Sequence, residues 1–329
     1  MEEDSSTPKQ SFAQALSNSL DYITTLGLIG AVVWVLCARL ARFHWVFDLA
    51  THLQFHVILA TLLFFTHCLI RRRKRVAALA SALILLLAIG TLTVFMPRGN
   101  DGISDASEIK VMTCNLLSSN SDYHGVKELI ASVDPDFVVL LELNRAWQSE
   151  LAELKQHFPH NTELPSEDNF GIAVFSKLPA RFETHFLTDF KVPLVESNLG
   201  DGLDVTVLAA HPLPPIGKVY SRSRNEYLEE LAELARANPK CVIAGDLNVT
   251  PYSPYFSDLL AAAELNDSRK GFGLQPTWPS EMQWFGIPID HILVSRGLNV
   301  LDREVLKIPG SDHAAVMARL GVQKSTLAP

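Results

Sequence analysis

Three long apolar stretches near the start of the chain constrain its fold more than any other feature. Residues 76–97, "VAALASALILLLAIGTLTVFMP", carry no charge and present no polar face. A surface helix of a soluble protein needs a polar face toward water, so a helix that is apolar all round reads as a membrane span. Residues 22–38 are also uncharged, ending at Arg39 and Arg42. Residues 50–70 are uncharged too, although His52, Gln54, His56 and His67 interrupt them. Each stretch approaches the ~20 residues that crossing a bilayer requires. The sequence therefore predicts a tail over residues 1–21 and three transmembrane helices at about 22–40, 50–70 and 76–97, with a buried amphipathic hairpin as the alternative for the second.

The basic run "RRRKR" at residues 71–75 separates the second and third stretches. Positive charge in a short loop marks the cytoplasmic side. With three spans, the tail is then cytoplasmic and everything after Pro97 lies on the far side of an inner or plasma membrane. The acidic leader "MEEDSSTPKQ" lacks the basic start of a cleaved signal peptide. The first 100 residues hold nine Lys/Arg against five Asp/Glu, and the remainder holds 19 against 31. An acidic remainder argues against long nucleic acid wrapped through its phosphates, which needs Lys and Arg. The four cysteines lack zinc-site spacing. They read as buried small hydrophobes, with a Cys114 to Cys241 bridge open if their strands are neighbours.

Residues 98–108 are polar and Gly-containing and read as a linker. Beyond them, over 109–322, strands and helices alternate. "IKVMTCN", "DFVVLLEL", "GIAVFS", "RFETHFL", "LDVTVLAAH", "CVIAG", "DHILVS", "NVLDREVLKI" and "AAVMARL" read as strands. "GVKELIASV", "RAWQSELAELKQHF", "SRSRNEYLEELAELARAN", capped by Ser221 or Ser223, and "YFSDLLAAA" read as helices. More strands than helices, with hairpin-like neighbours, predicts an α/β domain of stacked mixed sheets with helices outside.

Six strand ends carry polar residues: Asn115, Glu142, His211, Asp246 with Asn248, Asp290, and Asp312 with His313. Singly, each has an ordinary explanation as a turn, cap or surface residue. Jointly they form one chemistry. Carboxylates and amide oxygens suit a hard divalent ion, which keeps waters and binds substrate phosphate. A nearby carboxylate can take a proton from water, a His held by an Asp can pass one on, and an Asn can donate to an oxygen that gains charge.

"NLLSSN", "LLELN", "GIAVFSK", "HPLPP", "AGDLNVTP", "IDHILVS" and "GSDHAAV", in this order, resemble the endonuclease/exonuclease/phosphatase superfamily with its DNase I-like fold. The resemblance runs over roughly residues 110–320 and is carried most specifically by "GDLN" and the closing "SDH". The apolar N-terminal third looks like that of membrane-anchored bacterial members. The resemblance implies a four-layer α/β/β/α sandwich of two mixed sheets behind an all-α transmembrane region. It implies Mg²⁺, or alternatively Mn²⁺ or Ca²⁺, held principally by Glu142 with Asn115 beside it and Asp312 completing or orienting the shell. Asp246 would activate or position the attacking water, Asn248 would hold the phosphate or the transition state, and His313 would bind phosphoryl oxygens with Asp290 on its imidazole. His211 matches a phosphate-contacting position, with Asp168 or Asn169 nearest to where its partner acid belongs.

The implied reaction is phosphodiester hydrolysis, of nuclease type by family. A phospholipid or sphingomyelin-type phosphodiesterase or phosphatase is the first alternative and an inactive binding scaffold the second. The implied partners are a phosphodiester, as nucleic acid or lipid head group, and the bilayer itself; no protein partner is called for. Arg222 and Arg224, at the start of the long helix, are expected to face solvent.

Overall fold

The computed structural model describes residues 8–96, 106–200 and 202–323. The chain divides into two compact units, residues 1–92 and 93–329. The first is helical: α1 (Pro8–Arg39), α2 (Trp45–Thr51), α3 (Gln54–Ile70) and α4 (Lys74–Thr91). Within α1, Gln14–Arg39 is long and apolar enough to cross a membrane. The second apolar stretch is not one straight helix. It breaks between α2 and α3 with a 60° bend, and the pair counts as one further span only if the bend is accommodated within it. Among the described residues this gives one membrane-compatible helix, or two with the bent pair, rather than the three expected; the third stretch is helical over α4 and a 3₁₀ segment, Leu92–Phe95, and is not among them. The unit is pinned by polar contacts where the apolar faces end. Asp21 accepts from Arg71 at 3.1 Å and meets His67 at 2.9 Å, and Gln54 donates to Leu87 O and Thr91 Oγ1 at 3.1 Å.

The second unit holds two six-stranded mixed sheets. In the first, the order is β11 (Leu298–Lys307), β12 (Ala314–Gln323), β1 (Ala106–Asn115), β2 (Phe137–Leu141), β4 (Ile172–Ser176) and β3 (His160–Leu164). In the second it is β5 (Ala180–Leu187), β6 (Val192–Leu199), β7 (Val205–Ala210), β8 (Cys241–Asp246), β10 (Asp290–Ser295) and β9 (Leu265–Asp267). Each sheet has one parallel pair at its centre, β1 with β2 and β7 with β8, and antiparallel pairs elsewhere. Strands β3, β6 and β9 are absent from the sequence reading. β3 is half-buried, β6 opens with Val192 and Pro193, and β9 has only three residues, so none shows a clean apolar run.

Burial accounts for the layering. Val111, Val139, Val174, Val207, Val242, Ile292 and Val316 pack in the core between the sheets. The alternate residues point outward. Met112, Leu140 and Phe175 meet Val126, Ile130 and Trp147 of α5 (Tyr123–Val133) and α6 (Arg145–Glu150). Leu208, Ile243 and Leu293 meet Tyr227, Leu231, Phe256 and Leu259 of α7 (Lys218–Arg236) and α8 (Pro254–Ala262). Strands covered on both faces read as continuous apolar runs, which is why β2 and β8 are legible in the sequence. Each such side chain contributes about 1.5–3 kcal/mol on burial. The four layers, helix, sheet, sheet, helix, are those expected.

Three local expectations are corrected. "RAWQSELAELKQHF" is helical only over α6, because the chain turns at Leu151 into a 3₁₀ segment, Ala152–Gln156. Helix α7 begins at Lys218 after Gly217, not at Ser221 or Ser223; both serines are buried inside it. Cys114 and Cys241 lie on strands of different sheets and are free thiols. Burial pushes both thiols far up, to about 12 for Cys241, and nearby carboxylates add to this.

Candidate active site

The central strands of both sheets end at one place. β1 stops at Asn115, in register with Leu141, and Glu142 follows directly. β7 runs into His211, β8 ends at Asp246, and Asp246 pairs across the antiparallel ladder with Asp290. His313 immediately precedes β12. Main-chain hydrogen bonding thus brings together side chains up to 198 positions apart, Asn115 to His313, before any side chain makes a contact.

Asn115 bridges the sheets. Its Nδ2 donates to Glu142 Oε1 at 3.1 Å and to Asp246 Oδ2 at 3.2 Å, while its Oδ1 accepts from Leu117 N at 3.1 Å. The amide therefore shows its donor side to the two carboxylates. Glu142 adopts a left-handed backbone, φ 58°, and its Oε2 accepts from both the N and the Oγ of Ser118 at 3.0 Å. A non-Gly residue held there costs on the order of 1–3 kcal/mol, and such strain collects at functional sites. Ser118 Oγ also lies 2.6 Å from Asn169 Oδ1. Nothing in the sequence singled out Ser118, whose only signal is its place one turn after the Asn115 strand end.

Asp246 Oδ1 accepts from Asn248 N at 2.9 Å, and its Oδ2 faces His211 Nε2 at 3.7 Å and His313 Nε2 at 3.8 Å. Burial, helped by the Asp290 charge, pushes the Asp246 carboxyl well above the usual carboxylate range. Burial lowers His211 and the neighbouring His313 lowers it further, although Glu142 pulls the other way. His313 goes in the opposite direction. Burial alone would lower it, but Asp290 at 2.9 Å on Nδ1, with Asp246 and Asp312, outweighs desolvation and raises it to about 10. Asn248 is left-handed, φ 50°, with Nδ2 donating to Pro212 O at 3.0 Å.

Asp312 is anchored by Trp278, whose Nε1 donates to Oδ2 at 2.9 Å; its Oδ1 is buried without a hydrogen-bond partner. Asp290 Oδ1 and His211 Nδ1 are likewise buried without one. Asp168 does not pair with His211: it accepts from Ser166 Oγ and Phe170 N, and it is the Phe170 ring that lies 5.4 Å from the imidazole. Among the described residues, Asp246, Asp290 and His313 bring ligand-type atoms within 4.8 Å of one another. The expected metal ligands Glu142 and Asp312 are not part of that group; the orphaned oxygens, Asp290 Oδ1 within it and Asp312 Oδ1 outside it, are donors of the kind that fits a hard divalent cation.

The arginines correct the sequence reading. Arg222 is exposed and pairs with Glu226, but Arg224 is fully buried, with Nη1 on Asn248 O at 2.8 Å. Side-chain type and helical position gave no sign of an acceptor 24 residues away.

Two stacked mixed sheets whose strand ends gather carboxylates, amides and imidazoles define the architecture of a class of hydrolytic phosphoesterases. The profile of the Endonuclease/Exonuclease/phosphatase family matches residues 112–313, and the chain belongs to that family. Among solved structures, the chain is similar to an endonuclease/exonuclease/phosphatase from Beutenbergia cavernae, 22% identical, covering 67% of this chain and 73% of that one at TM-score 0.52. It is similar to the 3′-5′ exonuclease NExo from Neisseria meningitidis, 23% identical, covering 64% and 98% at TM-score 0.53. It is also similar to D. rerio TDP2 complexed with a single-strand DNA product, 16% identical, covering 65% and 99% at TM-score 0.55. At these identities the likeness is one of fold. No curated protein matches the chain in sequence.

Proposed function

We propose that the chain is a membrane-anchored, divalent-metal-dependent phosphodiesterase whose catalytic unit lies outside the cytoplasm. The observation that carries the reading is the unbroken contact path from Glu142 through Asn115 and Asp246 to His313 and Asp290. Glu142 and Asp312 would hold Mg²⁺, with Asn115 orienting Glu142 toward it. A bound divalent cation would offset the charge of the phosphate and of the crowded carboxylates. Asp246 takes the proton of the attacking water at Oδ2. His313 and His211 face the same oxygen and donate to phosphoryl oxygens. Asp290 fixes the His313 tautomer by accepting from Nδ1. Asn248 donates its second amide proton to the phosphoryl group.

The anchor rests on α1, and the multi-pass arrangement with an extracytoplasmic catalytic unit rests on the apolar stretches and "RRRKR". Nuclease-type activity follows the family. A lipid phosphodiester is the second reading, favoured by exposed apolar side chains on the segments that follow His211 and precede Asp290 in the chain: Ile216 at 71%, Val219 at the start of α7 at 63%, and Trp284 at 74% exposure.

The test uses the full chain in detergent with bis(p-nitrophenyl) phosphate under Mg²⁺, Mn²⁺, Ca²⁺ or EDTA, beside Asp246→Asn and His313→Ala. Metal-dependent turnover lost in both variants is expected. Metal-independent turnover, or variants as active as the parent, overturns the mechanism. DNA, RNA and phospholipid vesicles in the same assay separate the two substrate readings. A reporter fused at Pro329 that is active only in the cytoplasm overturns the topology.

A further inference from the structure

Helix α7 places two arginines two residues apart, and they meet opposite fates. Arg222 lies in solvent beside Glu226, whereas Arg224 turns inward and is wholly buried. Desolvating a guanidinium is unfavourable unless its donors meet acceptors, so a buried Arg reports on what it holds. Arg224 Nη1 donates to the backbone oxygen of Asn248 at 2.8 Å, and Nε donates to Asn225 Oδ1 at 2.8 Å. Its guanidinium lies 5.4 Å from the ring centre of Tyr255, on α8.

Asn248 is thereby held from three sides. Its N–H donates to Asp246 Oδ1, its Nδ2 to Pro212 O, and its carbonyl accepts from Arg224. All three bonds hold a residue at φ 50°, a conformation uncommon for residues other than glycine and one that Asn adopts more readily than most. An amide nitrogen carries two protons. Pro212 O takes one, and the other stays available to a ligand only while the backbone of Asn248 keeps this turn.

We propose that Arg224 is a positioning residue that clamps Asn248 in its left-handed turn, so that the Asn248 carboxamide meets the phosphoryl group already oriented. The inference rests on the reading of Asn248 as the group that contacts phosphate. The rival is a purely structural bolt between α7 and α8 through Tyr255, which would affect folding and leave the chemistry of each folded molecule unchanged.

A double-mutant cycle on the full chain in detergent, with bis(p-nitrophenyl) phosphate and Mg²⁺, separates the two. The proteins are the parent, Arg224→Met, Arg224→Lys, Asn248→Ala, the Arg224→Met/Asn248→Ala pair, and Arg222→Met as the control; kcat, KM and folded fraction are read for each. Arg224→Met lowers kcat by about 10²-fold, the scale of a misplaced reacting group, with KM moving less than about threefold. Arg224→Lys recovers part of it, since an ammonium can reach the Asn248 carbonyl without the fork geometry. In the pair, Arg224→Met adds less than about threefold to Asn248→Ala alone, because both changes remove the same interaction. Arg222→Met keeps parental kcat.

Independent, multiplying effects in the pair overturn the proposal, as does an Arg224→Met loss that tracks only the folded fraction. If Arg224→Met does not fold, the Arg224→Lys/Asn248→Ala cycle reads the same quantity. An Asn248→Ala variant with parental kcat overturns the reading of the site and the proposal with it. An impaired Asn248→Ala with multiplying effects overturns the proposal alone.

Discussion

His313 sits with Nδ1 2.9 Å from Asp290 Oδ2 and turns its Nε2 toward Asp246 at 3.8 Å. The two bonding directions of one imidazole are thus assigned to two carboxylates on paired strands, since Asp290 and Asp246 are register partners. Asp290→Asn keeps the shape and removes the charge that orients the ring. The expected result is a loss of about 10²–10⁴ in kcat with little change in KM, by analogy with other imidazoles deprived of an orienting carboxylate. Steady-state kinetics on the full chain with a soluble phosphodiester measure it. A variant within about threefold of the parent would show that His313 needs no such partner.

Ser118 supports Glu142 twice, through its backbone N and its Oγ. Ser118→Ala removes one of these bonds and keeps the other. If Glu142 holds the cation, the concentration of Mg²⁺ giving half-maximal activity should rise by about tenfold, the low end for a support to a metal ligand. Maximal activity at saturating Mg²⁺ should stay near that of the parent. A metal titration of activity decides it, and an unchanged midpoint would separate Ser118 from metal binding.

Asn115, Glu142, Asp246, Asp290 and His313 are legible in the sequence because a buried strand ends where its apolar run ends. The first polar residue after "VVLL" or "VIAG" must lie at the mouth of the sheet. That rule needs only local pattern. It fails where the partner is a main-chain atom distant in sequence: Arg224 reads as a solvated helix residue because Asn248 O carries no sequence signal. It fails again at β6, where Pro193 opens a strand that lies between two others. The break between α2 and α3 is a third case, since uncharged composition does not tell a straight helix from a bent pair.

Gly245 is required by the approach of two strands. A methyl group built on it would stand 1.9 Å from Ala210 O, its register partner in the parallel pair of β7 and β8. Backbone cannot give way there without separating the strands that carry His211 and Asp246. Gly245→Ala should therefore cost more than about 3 kcal/mol, the upper end for overpacking a core. Gly297→Ala, whose added methyl meets only ordinary contacts at 3.8 and 3.9 Å, should be close to neutral. Denaturant unfolding of both variants checks the contrast. Equal stabilities would show that the β7 and β8 strands can part at little cost.

Asp267, half-buried at the end of β9, and the buried Arg269 form an ion pair, with Nη2 2.6 Å from Oδ2. Burial by itself would raise the Asp267 carboxyl; Arg269 outweighs it and holds the group at about 2. The unfolded chain carries an Asp near the usual ~3.9, so the difference of roughly 2 units corresponds to about 2.5 kcal/mol. Because the folded value is the lower one, this contribution is complete above about pH 4 and disappears as the pH falls through 2. Asp267→Asn abolishes the titration and leaves a guanidinium without its counter-charge in the interior. It should lower stability by about 3–5 kcal/mol at pH 7. The gap to the parent should then narrow between about pH 4 and 2, since the parent loses the same charge by protonation. Unfolding free energies of both proteins across that range test the pair, and a constant gap would mean that Arg269 does not depress Asp267.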